Sequence, residues 1–243
     1  MTLAVAADAL GTDKVEAVMM PFRYTAEISK EDAALQAQTM GVKYQSIPIE
    51  PMYTAFEQSL AEVFQGREAD LTEENLQARI RGTLLMAISN KTGKMVLATS
   101  NKSEVAVGYS TIYGDMVGGY SPLKDVPKTL VYKLAEYRNS LSPCIPERVI
   151  TRPPSAELRP DQVDQDSLPD YDVLDEIIKQ YVRLDKSPDD IIELGFNAEE
   201  VHKVIRLINI SEYKRRQSAP GIKITQRAFG RDRRYPITSH YKE

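Results

Sequence analysis

Residues 96–128 read VLATSNKSEVAVGYSTIYGDMVGGYSPLKDVPK, and the reading of this stretch decides the fold. It begins within a short apolar run, Met95 to Ala98, of the kind that forms a strand buried on both faces. At Thr99-Ser100-Asn101-Lys102-Ser103-Glu104 the chain turns abruptly polar. In an open α/β sheet, ligands collect just outside the carboxyl ends of the strands. A hydroxyl, an amide, an ammonium and a carboxylate in that turn are therefore placed for chemistry. Gly108, Tyr109, Tyr113, Gly114, Gly118, Gly119 and Tyr120 follow, where backbone can approach a ligand closely and rings can stack. Lys128 then starts a new helical pattern, and a cation near a helix start suits a phosphate.

Upstream, strands and helices alternate. Met1 to Leu10 reads as a helix with Leu3, Ala6, Ala7 and Leu10 on one face and Gly11 in the stop position, yet nothing caps its start. Val15 to Met20 reads as a buried strand. Ser29, with Asp32 three residues on, begins a helix that ends at Gly41. Tyr44 to Ile49 is a second strand, Pro51 opens a helix to about Phe64, and Thr72 caps another over 73–90 with Leu76, Ile80, Leu84, Leu85 and Ile88 as its apolar stripe. This alternation predicts an α/β fold: a parallel sheet with helices on both faces.

Downstream, Lys128 to Leu141 reads as an amphipathic helix built on Leu130, Leu134, Tyr137 and Leu141. Six prolines between 143 and 169 mark a loop or lid, with one short strand at Arg148–Thr151. Helical patterns follow over 172–184, 187–194 and 197–216, the last capped by Asn197. The organisation expected is a nucleotide-binding α/β core over 1–150, a Pro-rich loop or lid over 151–170, and a helical region with a basic tail over 171–243.

Composition narrows the function classes. With 42% hydrophobic and 27% charged residues in 243, the chain reads as a soluble globular protein. No apolar run approaches the roughly 18 residues of a membrane span, so no membrane is expected. One cysteine, Cys144, excludes an internal disulfide and fits a reducing, cytoplasmic setting. Two histidines and one cysteine, none beside an activating partner, argue against zinc and against Ser, Cys or His nucleophilic catalysis. His202 reads as a surface or packing residue, and His240 stands near the end. Residues 161–193 carry eleven acidic and three basic side chains; residues 214–243 carry nine basic and two acidic. No DNA-binding motif or aromatic interleaving accompanies the basic end, so it reads as binding small-ligand phosphates or pairing with the acidic stretch rather than as a nucleic-acid surface.

What remains is a hydroxyl–carboxylate–lysine set suited to nucleotides and Mg²⁺. Glu104 is a hard oxygen donor of the kind Mg²⁺ takes alongside phosphate oxygens; it is equally an ordinary first-turn glutamate favoured by the helix dipole. Thr99 is placed to touch adenosine or phosphate, though threonine is common at strand ends. Lys128 can neutralise phosphate charge, though exposed lysine is the default. Asn75 and Arg79 share one face of a helix, which solvent alone would explain.

The words LATSNKSEVAVGY, YGD, LKDVPKTLVYKLAEYRN, EYKRRQ and FGRDRRYPIT closely resemble the synthetase domain of bacterial glutamine-dependent NAD synthetases, over nearly the whole chain. The resemblance implies a Rossmann-like fold of the adenine nucleotide alpha-hydrolase type. It implies that ATP adenylates the nicotinate carboxylate of deamido-NAD and that ammonia then displaces AMP to give NAD⁺. It implies that Thr99, Lys128 and Ser155 contact ATP, that Glu104 binds Mg²⁺ or lies against deamido-NAD, and that Asn75, Arg79, Tyr109, Ser110, Thr111, Ile112, Asp115 and Lys214 hold deamido-NAD. Glu104 and Lys128 would then be the catalytic pair, in a homo-oligomer. Two family parts are not read in the sequence: the Ser-Gly-Gly-x-Asp-Ser pyrophosphate loop and the glutaminase domain that supplies ammonia. The expectation is a C-terminal part of a longer protein with impaired turnover of its own. The alternatives are a non-catalytic fragment that binds dinucleotide and completes an oligomer, or another ATP pyrophosphatase such as a GMP synthetase; Tyr109–Ile112 and EYKRRQ count against the second.

Overall fold

A computed structural model describes residues 1–239; His240 lies outside the described residues. In chain order the helices are α1 (Thr2–Leu10), α2 (Glu27–Met40), α3 (Glu50–Leu60), α4 (Leu71–Thr92), α5 (Lys102–Val107), α6 (Lys128–Leu141), α7 (Glu147–Thr151), α8 (Tyr171–Ile178), α9 (Pro188–Glu193), α10 (Ala198–Ile210) and α11 (Glu212–Arg215). The strands are β1 (Glu16–Met19) and β2 (Lys43–Ser46). Two compact units divide the chain: residues 1–94, 113–115 and 133–166 form the first, and 95–112, 116–132 and 167 onward the second.

The first unit holds the parallel sheet. β1 and β2 pair in parallel, Glu16 opposite Lys43 through Met19 opposite Ser46, with α2 as the crossover that parallel strands need. The α/β class expected from the alternation is therefore the one adopted. One small core gathers Ala4, Ala135, Cys144 and Ile145, and another Phe22, Ile49, Tyr53 and Ile80. Three expectations need correction here. α2 starts two residues before Ser29, whose hydroxyl instead donates to Glu157 at 2.6 Å. Asp70, not Thr72, caps α4: its carboxylate accepts from the Thr72 N–H at 2.7 Å while Glu73 reaches back to the Asp70 N–H. Residues 148–151 are not a strand but part of α7, because Pro146 sits at the helix entry with φ already near −54°.

The second unit is helical. Val105, Ala106 and Val107 of α5 pack with Leu174, Ile177, Ile191, Val201, Val204 and Ile208. Leu174, Ile177, Ile191 and Ile208 are fully buried; at about 1.5–3 kcal/mol each, they contribute roughly 6–12 kcal/mol of burial. The run from Met95 forms no strand among the described residues. Leu97 makes a single parallel bridge to Tyr120, with the Ala98 N–H on the Tyr120 carbonyl and the Gly119 N–H on the Val96 carbonyl, both at 2.9 Å. Gly118, at φ +148°, lets these backbones close; a Cβ on it would stand 2.9 Å from the Val96 carbonyl oxygen. Met95 is 67% exposed rather than buried. Two helices expected to be continuous are interrupted: α8 passes into a π-helical turn at Lys179–Arg183, and Ser211 separates α10 from α11. In α6, which spans the expected 14 residues, Ala135 is buried while Tyr137 and Leu141 are exposed, so the predicted apolar stripe is only partly used.

Candidate functional site

α5 begins at the polar turn, and its cap holds Glu104. The Asn101 side chain accepts from the Glu104 N–H at 3.0 Å, and Glu104 Oε2 accepts from the Asn101 N–H at 3.3 Å. This reciprocal cap leaves Glu104 Oε1 facing Lys128 Nζ at 3.2 Å, with both side chains largely buried. Lys128 also lies over the Tyr171 ring, 5.1 Å from its centroid, and 5.9 Å from that of Tyr132. Ring faces attract a cation, so anion and aromatics together hold the ammonium at the start of α6. Glu104 thus serves both as the first-turn cap and as one half of an ion pair.

Behind this pair lies a set of residues that sequence reasoning missed. Ser103, fully buried, accepts from the Lys128 N–H at 2.9 Å and donates to Asp175. Asp175 Oδ2 accepts from the Thr129 N–H at 2.9 Å and from its hydroxyl at 2.8 Å. On the other side of the turn, Lys102 is buried. Its ammonium donates to Asp125 at 2.7 Å, to the Thr225 hydroxyl and to the Arg227 carbonyl at 2.7 Å. Asp125 in turn accepts the Ile224 and Thr225 N–H groups at 2.9 and 2.7 Å. Burial pushes the Lys102 pKa down, with the Asp125 carboxylate pulling the other way. A lysine inside a polar word reads as exposed by default, and no local signal links residue 102 to 225 or 103 to 175.

Lys214 donates to the carbonyls of Gly108 and Ser110, both at 2.7 Å, and so fastens the start of the Tyr109–Ile112 segment. Beside it, Arg215 is buried, paired with Glu212 at 3.0 Å and donating to the Ala106 and Ile208 carbonyls at 2.6 Å. The EYKRRQ word is therefore a backbone clamp on the end of α5. Gly108 is part of that fit: it sits at φ +67°, and a Cβ there would stand 2.3 Å from Ser211 Oγ. Gly41 has the same φ with open space around it. We expect Gly108→Ala to cost about 2–4 kcal/mol, from left-handed strain plus overpacking, and Gly41→Ala only about 1–2 kcal/mol. Urea unfolding of the two variants measures the difference, and equal losses would show that Ser211 yields.

Of the other expected site residues, Thr99 is exposed just past the Leu97 bridge. Thr111 is buried, and Tyr109, Ser110 and Ile112 are half-buried. Glu104, Lys128, Thr99, Tyr109–Ile112 and Lys214 all belong to the second unit. Asn75, Arg79, Asp115 and Ser155 belong to the first. There Asn75 and Arg79 lie one turn apart on α4, half-buried and exposed respectively, Asp115 is exposed, and the Ser155 hydroxyl accepts from the Glu157 N–H at 3.1 Å. His202 is exposed.

The basic tail does pair with the acidic stretch: Asp185 meets Arg227 and, at 3.0 Å, Arg233, and these guanidinium groups hold its carboxyl below the usual range. A cavity of about 280 Å³ opens along the tail, lined by Lys124, Asp125, residues 220–223 and residues 228–231. Its lysines are engaged, Lys124 with the Ala219 carbonyl at 2.7 Å and Lys223 with Asp232 at 2.7 Å. The cavity does not include the Glu104–Lys128 pair.

The α/β fold that contains the parallel βαβ unit is shared by solved neighbours. The structure of an NMN synthetase from Francisella tularensis superposes with a TM-score of 0.73 at 24% identity, over 88% of this chain and 80% of that one. The sequence profile of NAD synthase matches residues 1–218, and the chain belongs to that family. It is 62% identical to the glutamine-dependent NAD(+) synthetase of Acinetobacter baylyi, over 100% of this chain and 45% of that protein. With the corresponding protein of Xanthomonas campestris the identity is 55%, over 99% and 44%. The glutamine-dependent NAD⁺ synthetase of Acinetobacter baumannii, solved with ADP, is 57% identical over 97% of this chain and 43% of that one, with a TM-score of 0.62. The chain thus spans a little under half the length of these relatives.

Proposed function

We propose that the protein carrying this chain performs the ATP-dependent amidation of deamido-NAD to NAD⁺. The observation that carries the reading is the NAD synthase match over residues 1–218. In the reaction, the nicotinate carboxylate attacks the α-phosphorus of ATP and pyrophosphate leaves. Ammonia then attacks the acyl carbon, and AMP departs with the former carboxylate oxygen. Without the first step ammonia would have to expel an oxide; with it, the leaving group is a phosphate monoester.

Lys128 answers the charge that moves onto the departing phosphates, in a transition state whose stabilisation is mainly electrostatic. Glu104 aims that ammonium and offers a carboxylate to a hard cation. Among the described residues, no group of three or more His, Cys, Asp or Glu stands together to hold a metal. A single carboxylate still fits Mg²⁺, which is commonly held by one or two carboxylates with phosphate oxygens and waters. When bound, the ion neutralises polyphosphate charge. Thr99 and Ser155 are assigned to ATP, and Asn75, Arg79, Tyr109–Ile112, Asp115 and Lys214 to deamido-NAD. The relatives' names, with their glutamine dependence, support glutamine as the source of ammonia.

The test is NAD⁺ formation from ATP, Mg²⁺, deamido-NAD and ammonium by the protein that carries this chain; no product above the enzyme-free rate would reject the reading. Within that assay, Lys214→Ala is expected to raise the KM for deamido-NAD about tenfold and that for ATP less than threefold. The reason is local: the lost ammonium frees the Gly108 and Ser110 carbonyls and with them the start of the Tyr109–Ile112 segment. An equal rise for both substrates would make Lys214 a general electrostatic attractor instead.

A further inference from the structure

We propose that Asp175 is a positioning residue that sets the Glu104–Lys128 pair, an inference that rests on the roles just given to those two residues. Ser103 is the residue before Glu104, and Thr129 the residue after Lys128. One carboxylate of α8 fastens both: Oδ1 takes the Ser103 hydroxyl, and Oδ2 takes the Thr129 N–H and hydroxyl at 2.9 and 2.8 Å. Ser103 completes the ring by accepting the Lys128 N–H at 2.9 Å. The starts of α5 and α6 are thereby locked to a single anion.

Hydrogen bonds to an ionised acceptor are about twice as strong as neutral ones. A negative charge at the first turn of the 14-residue α6 is also favoured by the helix dipole. Ser103 is fully buried, so no solvent competes for its hydroxyl. Asp175 itself meets Thr129 and Ser103 rather than the Lys128 ammonium; it acts through the backbone that carries the pair. Shifting two charged groups by about 1 Å at a reacting centre can cost about 10²-fold in rate.

The variant that reads this is Asp175→Asn, which keeps the size of the side chain but cannot accept on both oxygens. Expected is a fall in kcat of about 10²-fold with the KM for ATP and for deamido-NAD changed less than about threefold. In a Glu104→Gln background the same substitution is expected to cost less than about twofold, because the pair it sets is already gone. Equal losses in both backgrounds would make Asp175 a structural residue only and overturn the proposal. Thr129→Val, which removes one of the three hydrogen bonds, keeps the test open if Asp175→Asn fails to fold; a fall of about fivefold is expected, and none overturns it.

A readout without turnover separates this inference from the proposed reaction. The protein is ¹³C-methylated at lysine, and the Lys128 signal is assigned by its loss in Lys128→Arg. In Asp175→Asn that signal is expected to move to its position in Glu104→Gln. An unmoved signal overturns the positioning role, whereas a moved signal in a protein that makes no NAD⁺ overturns only the proposed reaction.

Discussion

Glu104→Gln is expected to lower NAD⁺ synthesis by about 10²–10³-fold with ammonium and Mg²⁺ saturating, the range associated with loss of one preorganised group at a transition-state site. The substitution separates the two duties of the residue. Glutamine at this cap position can still accept the Asn101 N–H, which Glu104 Oε2 now takes at 3.3 Å, so the start of α5 is retained. The charge is lost, and with it the anion 3.2 Å from the Lys128 ammonium. An unchanged melting temperature together with the fall in kcat assigns the loss to the site. Near-normal turnover would remove Glu104 from the chemistry and leave it a helix cap.

The largest expected effect on stability is at Lys102. Lys102→Met keeps most of the aliphatic stem and removes the ammonium, leaving the Asp125 carboxylate, 5% exposed, without its counter-ion. Removing one partner of a buried pair costs about 3–5 kcal/mol, a substantial part of the roughly 5–15 kcal/mol that holds a domain folded. Asp125 keeps the Ile224 and Thr225 N–H groups, which places the expected loss at the lower end. Lys102→Met with Asp125→Asn is expected to recover about 1–2 kcal/mol, since asparagine can still accept from the tail while carrying no charge. Urea midpoints of the two variants measure this; a double variant no more stable than the single would show that the tail, not the charge, is what Asp125 holds.

The sequence by itself determined the elements whose causes are local. The alternation of apolar and helical patterns gave the parallel βαβ unit. The Asn197 start is capped as read, its side chain taking the N–H of the third helical residue. Lys128–Leu141 is the helix expected, and the word around Asn101–Glu104 marked the place where Glu104 and Lys128 meet. Other readings failed where a partner far along the chain changed the outcome. Met95–Ala98 has strand composition, but in the folded chain it makes a single bridge, Leu97 to Tyr120, and Met95 is exposed. Ser29 looked like a cap and is instead bonded to Glu157, 128 residues away. Tertiary structure alone decided that Lys102 is buried and that Asp175, read as part of an acidic stretch, holds the starts of two helices. A charged residue in a polar segment carries the same local signature whether it ends in water or in the interior. Its fate is set by whether a carboxylate, hydroxyl or carbonyl from a distant segment arrives to offset the cost of leaving water. For Lys102 those groups come from Asp125, Thr225 and Arg227, and only the folded chain brings them together.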